Sequence, residues 1–134
     1  MKRVRITVVR KVCHRDLIER YETPIEHACD MQGGEVFVAE GWQRPEGLCE
    51  SAWQTLSPFV MALAHGATDF YDGWMKNPAS AMLSCNDGFR PVSFLVEALD
   101  ETAADGWGTE PSENPQNHCT RTPYTLCAPP FCSS

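Results

Sequence analysis

The feature that most constrains the fold of this chain is a change of composition at Asp100. Before it, apolar side chains recur with period two or at three- and four-residue steps, as they do in strands and helices. Residues 100–134 show no such period and are rich in Gly, Pro, Ser, Thr and Asn. We therefore expect one folded domain over residues 1–99, followed by a tail that does not form a core.

Four segments of the first part have the pattern of β-strands. They are Lys2–Val9, Glu35–Ala39, Ala81–Cys85 and Pro91–Leu99. The last two are separated by Asn86-Asp87-Gly88, residues that tolerate positive φ and therefore favour a hairpin.

One segment, Ser51 to Ala64, has the pattern of a long amphipathic helix, and Gly66 supplies its stop. Pro58 lies inside it and predicts a kink or a break. Asp16–Tyr21 is long enough for a short helical turn. Together these elements predict an α+β fold, with a small, mostly antiparallel sheet and one main helix. Trp74 and Met75, in the loop-like segment before the third strand, are expected to pack against the core.

Several motifs of the first part resemble those of a family of small, functionally uncharacterised bacterial and archaeal proteins. Their pattern is C, G-x-x-F, C-x-x-A-W and C-x-D-G-x-R-P-V-x-F, in that order, after a basic first strand. The matching residues here are Cys29, Gly34 to Phe37, Cys49 to Trp53 and Cys85 to Phe94. Ser84 departs from the pattern, because the family often has a second cysteine there. The resemblance implies a domain over about residues 2–97 and no known activity.

Charge and hydropathy exclude two classes of partner. The sequence has eleven Lys and Arg and eighteen Asp and Glu. The resulting net charge of −7 argues against binding to nucleic-acid phosphates. No apolar run approaches the length of a membrane span. The basic start is followed too soon by Arg10 and Lys11 to be a signal peptide, so we expect a cytoplasmic protein with reduced thiols.

The tail divides again, into an acidic segment over 100–118 and a Cys-, Thr- and Ser-rich segment over 119–134. This arrangement resembles the precursor of a ribosomally synthesised and post-translationally modified peptide. In such a precursor a leader is recognised by an enzyme and a core peptide is modified. The resemblance implies that residues 1–99 are a folded leader domain and that 100–118 are a flexible linker.

The candidate core residues carry nucleophilic thiols or hydroxyls that become leaving groups after phosphorylation or acylation. They are Cys119, Thr120, Thr122, Thr125, Cys127, Cys132, Ser133 and Ser134. A hydroxyl residue and a cysteine a few residues apart can close a small thioether ring, because short loops cost little entropy. Other cysteine-based chemistries fit equally well. The implied partners are a modifying enzyme, a protease and an exporter for the mature peptide; the chain itself is expected to be neither an enzyme nor bound to a cofactor.

Alternatives remain open. Cys29, Cys49 and Cys85 could form a metal- or ligand-binding cluster in the domain, with an inert tail. His118 with the three tail cysteines lacks the spacing of a zinc site. A nucleophilic centre would need Cys85, His65 and Asp87 to meet in space, without any motif that predicts it.

Overall fold

The computed structural model describes residues 1–26 and 28–102. The elements, in chain order, are β1 Lys2–Lys11, α1 Arg15–Tyr21, β2 Val36–Ala39, α2 Glu50–Ala64, α3 Phe70–Gly73, β3 Ser80–Ser84 and β4 Val92–Thr102. The predicted α+β class is confirmed, with an antiparallel sheet and one main helix. Among these residues, no helix is long and apolar enough to cross a membrane.

The four strands form one antiparallel sheet in the order β2-β1-β4-β3. Ile6 at the middle of β1 pairs with Phe37 of β2 on one side and with Val96 of β4 on the other. Because side chains alternate along a strand, this register puts the three apolar side chains on one face. All three are fully buried.

Helix α2 covers that face. Its buried residues recur at helical spacing and join the strands in a single hydrophobic cluster, which includes Leu48 and Met31 from the connections. The helix residues in it are Ala52, Leu56, Val60, Leu63 and Ala64. Pro58 does not break α2, contrary to one of the two expectations for it. Pro58 is exposed, and Leu56 and Val60 on either side of it are held in the core.

The strands extend beyond their predicted ends. β1 continues to Lys11, and β4 continues to Thr102, past the boundary expected at Leu99. Lys2 pairs with Thr102 and Lys11 pairs with Val92, so backbone hydrogen bonding carries both strands beyond their apolar positions. Register shifts between Lys2 and Val4 and between Val8 and Arg10 accommodate this length.

The connection between β3 and β4 differs from the expected positive-φ hairpin. Asn86, Asp87 and Gly88 are not among the residues with positive φ. Instead, the Asp87 carboxylate accepts hydrogen bonds from the backbone N–H groups of Phe89 (2.8 Å) and Arg90 (3.1 Å). The side chain therefore closes the turn, as aspartate commonly does.

The sheet has two distinct ends. At one, which we call the exit end, β1 and β3 begin and β2 and β4 finish, at Lys2, Ser80, Ala39 and Thr102. At the other, which we call the thiol end, β1 and β3 finish and β2 and β4 begin, at Lys11, Ser84, Val36 and Val92. The ten residues of β1 separate the two ends by about 30 Å.

The segment between α2 and β3 corrects another expectation. Trp74 is 80% exposed rather than packed against the core, whereas Met75 is half-buried. In and beside α3 the backbone is left-handed at Asp69, Tyr71 and Asp72, with φ of 60°, 56° and 56°. For residues other than glycine this conformation costs about 1–3 kcal/mol each. The sequence pattern indicates neither these left-handed residues nor the exposure of Trp74.

Candidate functional site

Three free thiols occupy the thiol end of the sheet. Cys29 lies in the connection between α1 and β2, Cys49 is the residue immediately before α2, and Cys85 directly follows β3. All three are half-buried and pack against the same hydrophobic cluster. Their sequence separation is large, and only the meeting of three different elements brings them together.

Cys29 is the thiol with the most defined surroundings. Its Sγ accepts a hydrogen bond from the Met31 N–H at 3.5 Å, and the Lys11 ammonium donates to its backbone carbonyl at 2.8 Å. Burial raises the pKa of the Cys29 thiol, and the Met31 hydrogen bond and the Lys11 charge oppose that rise only in part. Cys49 and Cys85 lie close enough that their negative charges would raise this pKa further. The Cys29 thiol therefore stays protonated at neutral pH.

Lys11 lies beside Cys29 at the thiol end of the sheet. Burial and the charge of Arg90 lower the pKa of its ammonium, while Cys29, Asp30 and Glu35 act in the opposite direction. Because Lys11 lies beyond the alternating part of β1, its contact with the thiol region was not predicted. The only sequence signal of this contact is the position of Lys11, just after the alternating apolar residues of the first strand.

Cys85 is fixed by the backbone of β4. The Val92 N–H donates to its Sγ at 3.3 Å, and the Cys85 N–H donates to the Val92 carbonyl at 3.1 Å. The Asp87 turn lies between Cys85 and Val92. In this segment of the chain, the Asp87 carboxylate closes the turn and the Cys85 thiol accepts a backbone hydrogen bond.

Arg90 completes the motif with a buried ion pair to Glu22. Its two terminal nitrogens donate to the two carboxylate oxygens at 2.7 and 2.6 Å, a bidentate geometry. Hydrogen bonding to Arg90 lowers the pKa of the Glu22 carboxyl, and the same bond raises the pKa of Arg90. The Arg90 side chain is only 8% exposed, and its Nε has no hydrogen-bond partner among the described residues. This pair ties the end of α1 to the β3–β4 connection.

An open cavity of about 410 Å³ adjoins two of the thiols. Cys29 and Cys49 line it together with Asp30, Arg44 and Glu50. The Arg44 guanidinium donates to the Leu48 carbonyl, which holds this arginine at the cavity wall. The lining therefore offers soft thiols, one cation and two carboxylates to a small ligand.

Within residues 1–26 and 28–102, no group of three or more His, Cys, Asp and Glu side chains is placed to hold a metal ion. His27, two residues before Cys29, lies outside the described residues. Cys13 is not one of the three free thiols: it is buried beside Ile18 and is disulfide-bonded, which differs from the reduced state expected of the cysteines.

The imagined nucleophilic centre is not assembled. The hypothesis needs Cys85, His65 and Asp87 to meet. Cys85 and Cys49 both lie near Cys29, at the N-terminal end of α2, whereas His65 follows its C-terminal end, and a helix of fifteen residues is about 22 Å long. The Asp87 carboxylate is engaged by two backbone N–H groups of its own turn. Asp87 is therefore a turn-forming residue rather than the partner of a histidine.

All the predicted core residues fall outside the described part of the chain. These are Cys119, Thr120, Thr122, Thr125, Cys127, Cys132, Ser133 and Ser134. The same holds for His118 and for most of the predicted linker. Their roles stay predictions.

Comparison with known protein families, with curated proteins and with solved structures finds no match to this chain.

Proposed function

We propose that this chain is the precursor of a ribosomally synthesised and post-translationally modified peptide. Residues 1–102 are the folded domain that a modifying enzyme recognises, and residues 119–134 are the peptide that it modifies through thioether or other cysteine-based chemistry. The chain is not itself the enzyme. A protease releases the mature peptide from the linker, and an exporter removes it from the bacterial cytoplasm.

The observation that carries the proposal is the separation of core-forming and modifiable residues along the chain. One buried cluster joins all four strands to α2 between Val4 and Val96. The segment 119–134 has three cysteines, three threonines and two serines, so half of it is thiol or hydroxyl. A folded domain that docks on an enzyme raises the effective concentration of the attached peptide at the active site.

The intact mass of the full chain from its native host tests this proposal. We expect a mass that differs from the 15.0 kDa of the unmodified sequence, with every difference located within residues 119–134 by fragmentation. Dehydration would appear as the loss of one water per modified hydroxyl, and cross-linking by oxidation as the loss of hydrogen. A chain with the mass of the unmodified sequence would refute the proposal.

Two variants separate recognition from modification. Cys127→Ala is expected to remove only the modification at that residue, because the domain still docks. Leu56→Ala, which opens a cavity beneath α2, is expected to reduce all modifications together. A tail that is modified fully on an unfolded domain would contradict recognition by the fold.

A second candidate function is favoured by the thiols themselves. The cavity lined by Cys29 and Cys49, with Cys85 near, would suit a small ligand that thiols bind. Metal analysis of the chain ended after Thr102 tests it. A stoichiometric metal that is lost in Cys49→Ser would support this function, and a metal-free protein would remove it.

A further inference from the structure

A group of aromatic side chains lies at the exit end of the sheet, between α2 and β3. Tyr71 is 43% and Trp74 is 80% exposed, and their ring centroids are 5.4 Å apart. Phe59 of α2 lies beneath them, with its centroid 5.7 Å from that of Phe70 and 6.2 Å from that of Tyr71. We call Phe59, Phe70, Tyr71 and Trp74 the aromatic patch. It is anchored in the core at Phe59 and reaches solvent at Trp74.

The backbone beneath the patch is held in a conformation that its residues do not favour. Asp69, Tyr71 and Asp72 have positive φ, and for a bulky residue such as Tyr71 this is uncommon. The Asp69 N–H donates to the Pro78 carbonyl at 2.8 Å and so closes the segment. Strain of this kind persists where the surrounding structure enforces it, and it occurs often at binding sites. Here it presents two large rings to solvent.

The patch adjoins the place where the chain leaves the sheet. The Ala98 N–H donates to the Ala79 carbonyl at 2.9 Å, and Ser80 pairs with Glu97. The segment that carries the patch therefore ends beside the last residues of β4. Seventeen residue steps lead from Thr102 to Cys119, and a chain of that length spans at most about 60 Å.

We propose that the aromatic patch is the surface by which this chain docks on the enzyme that modifies residues 119–134. The inference rests on the proposed function and names the surface that the function requires. The partner is a protein with an apolar pocket that receives the Trp74 ring and part of Tyr71. Large aromatic side chains of this kind dominate the binding free energy of protein interfaces.

The charge around the patch specifies the border of that pocket. Asp69 and Asp72 lie on either side of Phe70 and Tyr71 in the chain and are both exposed, and Lys76 is the one Lys or Arg within residues 66–78. The rim of the enzyme's pocket is therefore expected to carry lysine or arginine, which would attract the two carboxylates and fix the orientation of the complex. An enzyme that binds here has the start of the tail at its own surface, and residues 119–134 are within the length of chain that follows.

The test uses the full chain in its native host and two matched tryptophan variants. Trp74→Ala removes the exposed ring of the patch. Trp42→Ala is the control, because Trp42 is 51% exposed and follows β2, at the opposite edge of the sheet from β3. The measurement is the fraction of chains with a modified tail, by intact mass, at a time when about half of the wild type is modified. We expect a decrease of roughly tenfold or more for Trp74→Ala and none for Trp42→Ala.

The outcomes distinguish failure of the docking surface from failure of the proposed function on which it rests. A wild-type tail without modification overturns the proposed function, and the docking surface with it. A modified wild type with Trp74→Ala modified to the same extent overturns the docking surface alone. Equal losses in Trp74→Ala and Trp42→Ala also overturn it, because they would indicate a general effect of removing surface tryptophans.

A photo-activatable phenylalanine at position 74 identifies the occupant directly. We expect a cross-link to one protein that, once purified, modifies the tail of the purified chain. Asp69→Asn and Asp72→Asn keep residues that accept left-handed backbone, so they are expected to weaken that binding several-fold and reduce its salt dependence. A cross-link between two copies of this chain, or to a protein without effect on the tail, would refute the proposal.

Discussion

At the scale of single residues, the motif around Cys85 serves structure before it serves chemistry. Asp87 closes the turn with its carboxylate, Cys85 accepts the Val92 N–H, and Arg90 holds Glu22 in a bidentate pair. A lysine could not reproduce that fork, because its ammonium is a point charge with rotating donors. The partner of Arg90 could not be predicted from the sequence, because Glu22 lies 68 residues away.

The Glu22–Arg90 pair makes stability depend on acid pH. Arg90 lowers the pKa of Glu22 below its ordinary value of 4.5. The stabilisation is therefore fully present above pH 4.5 and is lost as the pH falls through the lower pKa of the folded state. We expect Glu22→Gln to be less stable than the wild type at neutral pH, with the difference shrinking in acid. Urea unfolding across this range measures it.

Glu19→Gln is the control for that measurement, since Glu19 is an exposed carboxylate of the same short helix. It should leave stability nearly unchanged at each pH. A difference between wild type and Glu22→Gln that stayed constant into strong acid would show that the loss is steric rather than electrostatic.

The Cys29 thiol should react slowly. Burial raises its pKa above the ordinary 9.0, and only the thiolate is alkylated. At about pH 8 we expect iodoacetamide to label Cys29 more slowly in the folded protein than in urea. Peptide mass spectrometry over time gives the rate at each pH. Labelling in the folded protein as fast as in urea would instead point to an activated nucleophile at this position.

At the scale of elements, the periodic segments were predictable because their pattern reflects one buried face. The buried core contains the residues that carry these patterns. They are the alternating Val4, Ile6 and Val8 of β1 and the helically spaced Leu56, Val60 and Leu63 of α2. The left-handed residues around α3 could not be predicted, since a bulky residue such as Tyr71 rarely adopts that conformation. The convergence of three thiols from separate connections also depends on the tertiary arrangement rather than on spacing.

Helix α2 is expected to account for a large part of the stability of the domain. Leu56 is fully buried between the helix and the sheet. Leu56→Ala should lower the free energy of unfolding by about 2–5 kcal/mol, because it removes apolar contact and leaves a cavity. Gln54→Ala, on the exposed side of the same helix, should change it by less than about 0.5 kcal/mol. Denaturant unfolding compares the two, and similar losses in both would contradict the position of α2 on the sheet.

At the scale of the whole molecule, the two ends of the sheet carry different properties. The thiol end holds Cys29, Cys49 and Cys85, with the half-buried Lys11 beside Cys29. The exit end holds the aromatic patch beside the last residues of β4. Because about 30 Å separates them, ligand binding at the thiols and docking at the patch can be tested independently.

The division between a folded domain and a modified tail predicts that residues 1–102 fold without the rest of the chain. β4 lies between β1 and β3, and the buried cluster draws on every strand and on α2, so the sheet and its covering helix are complete at Thr102. A chain ended after Thr102 should match the full chain in free energy of unfolding to within about 0.5 kcal/mol. A chain ended after Ser93 lacks most of a central strand and should not fold, which makes it the matched control. Denaturant unfolding of the three chains, followed by tryptophan fluorescence, measures this. If the chain ended after Thr102 were unfolded or several kcal/mol less stable, the tail would belong to the fold, and a peptide that is modified and released could not be drawn from it.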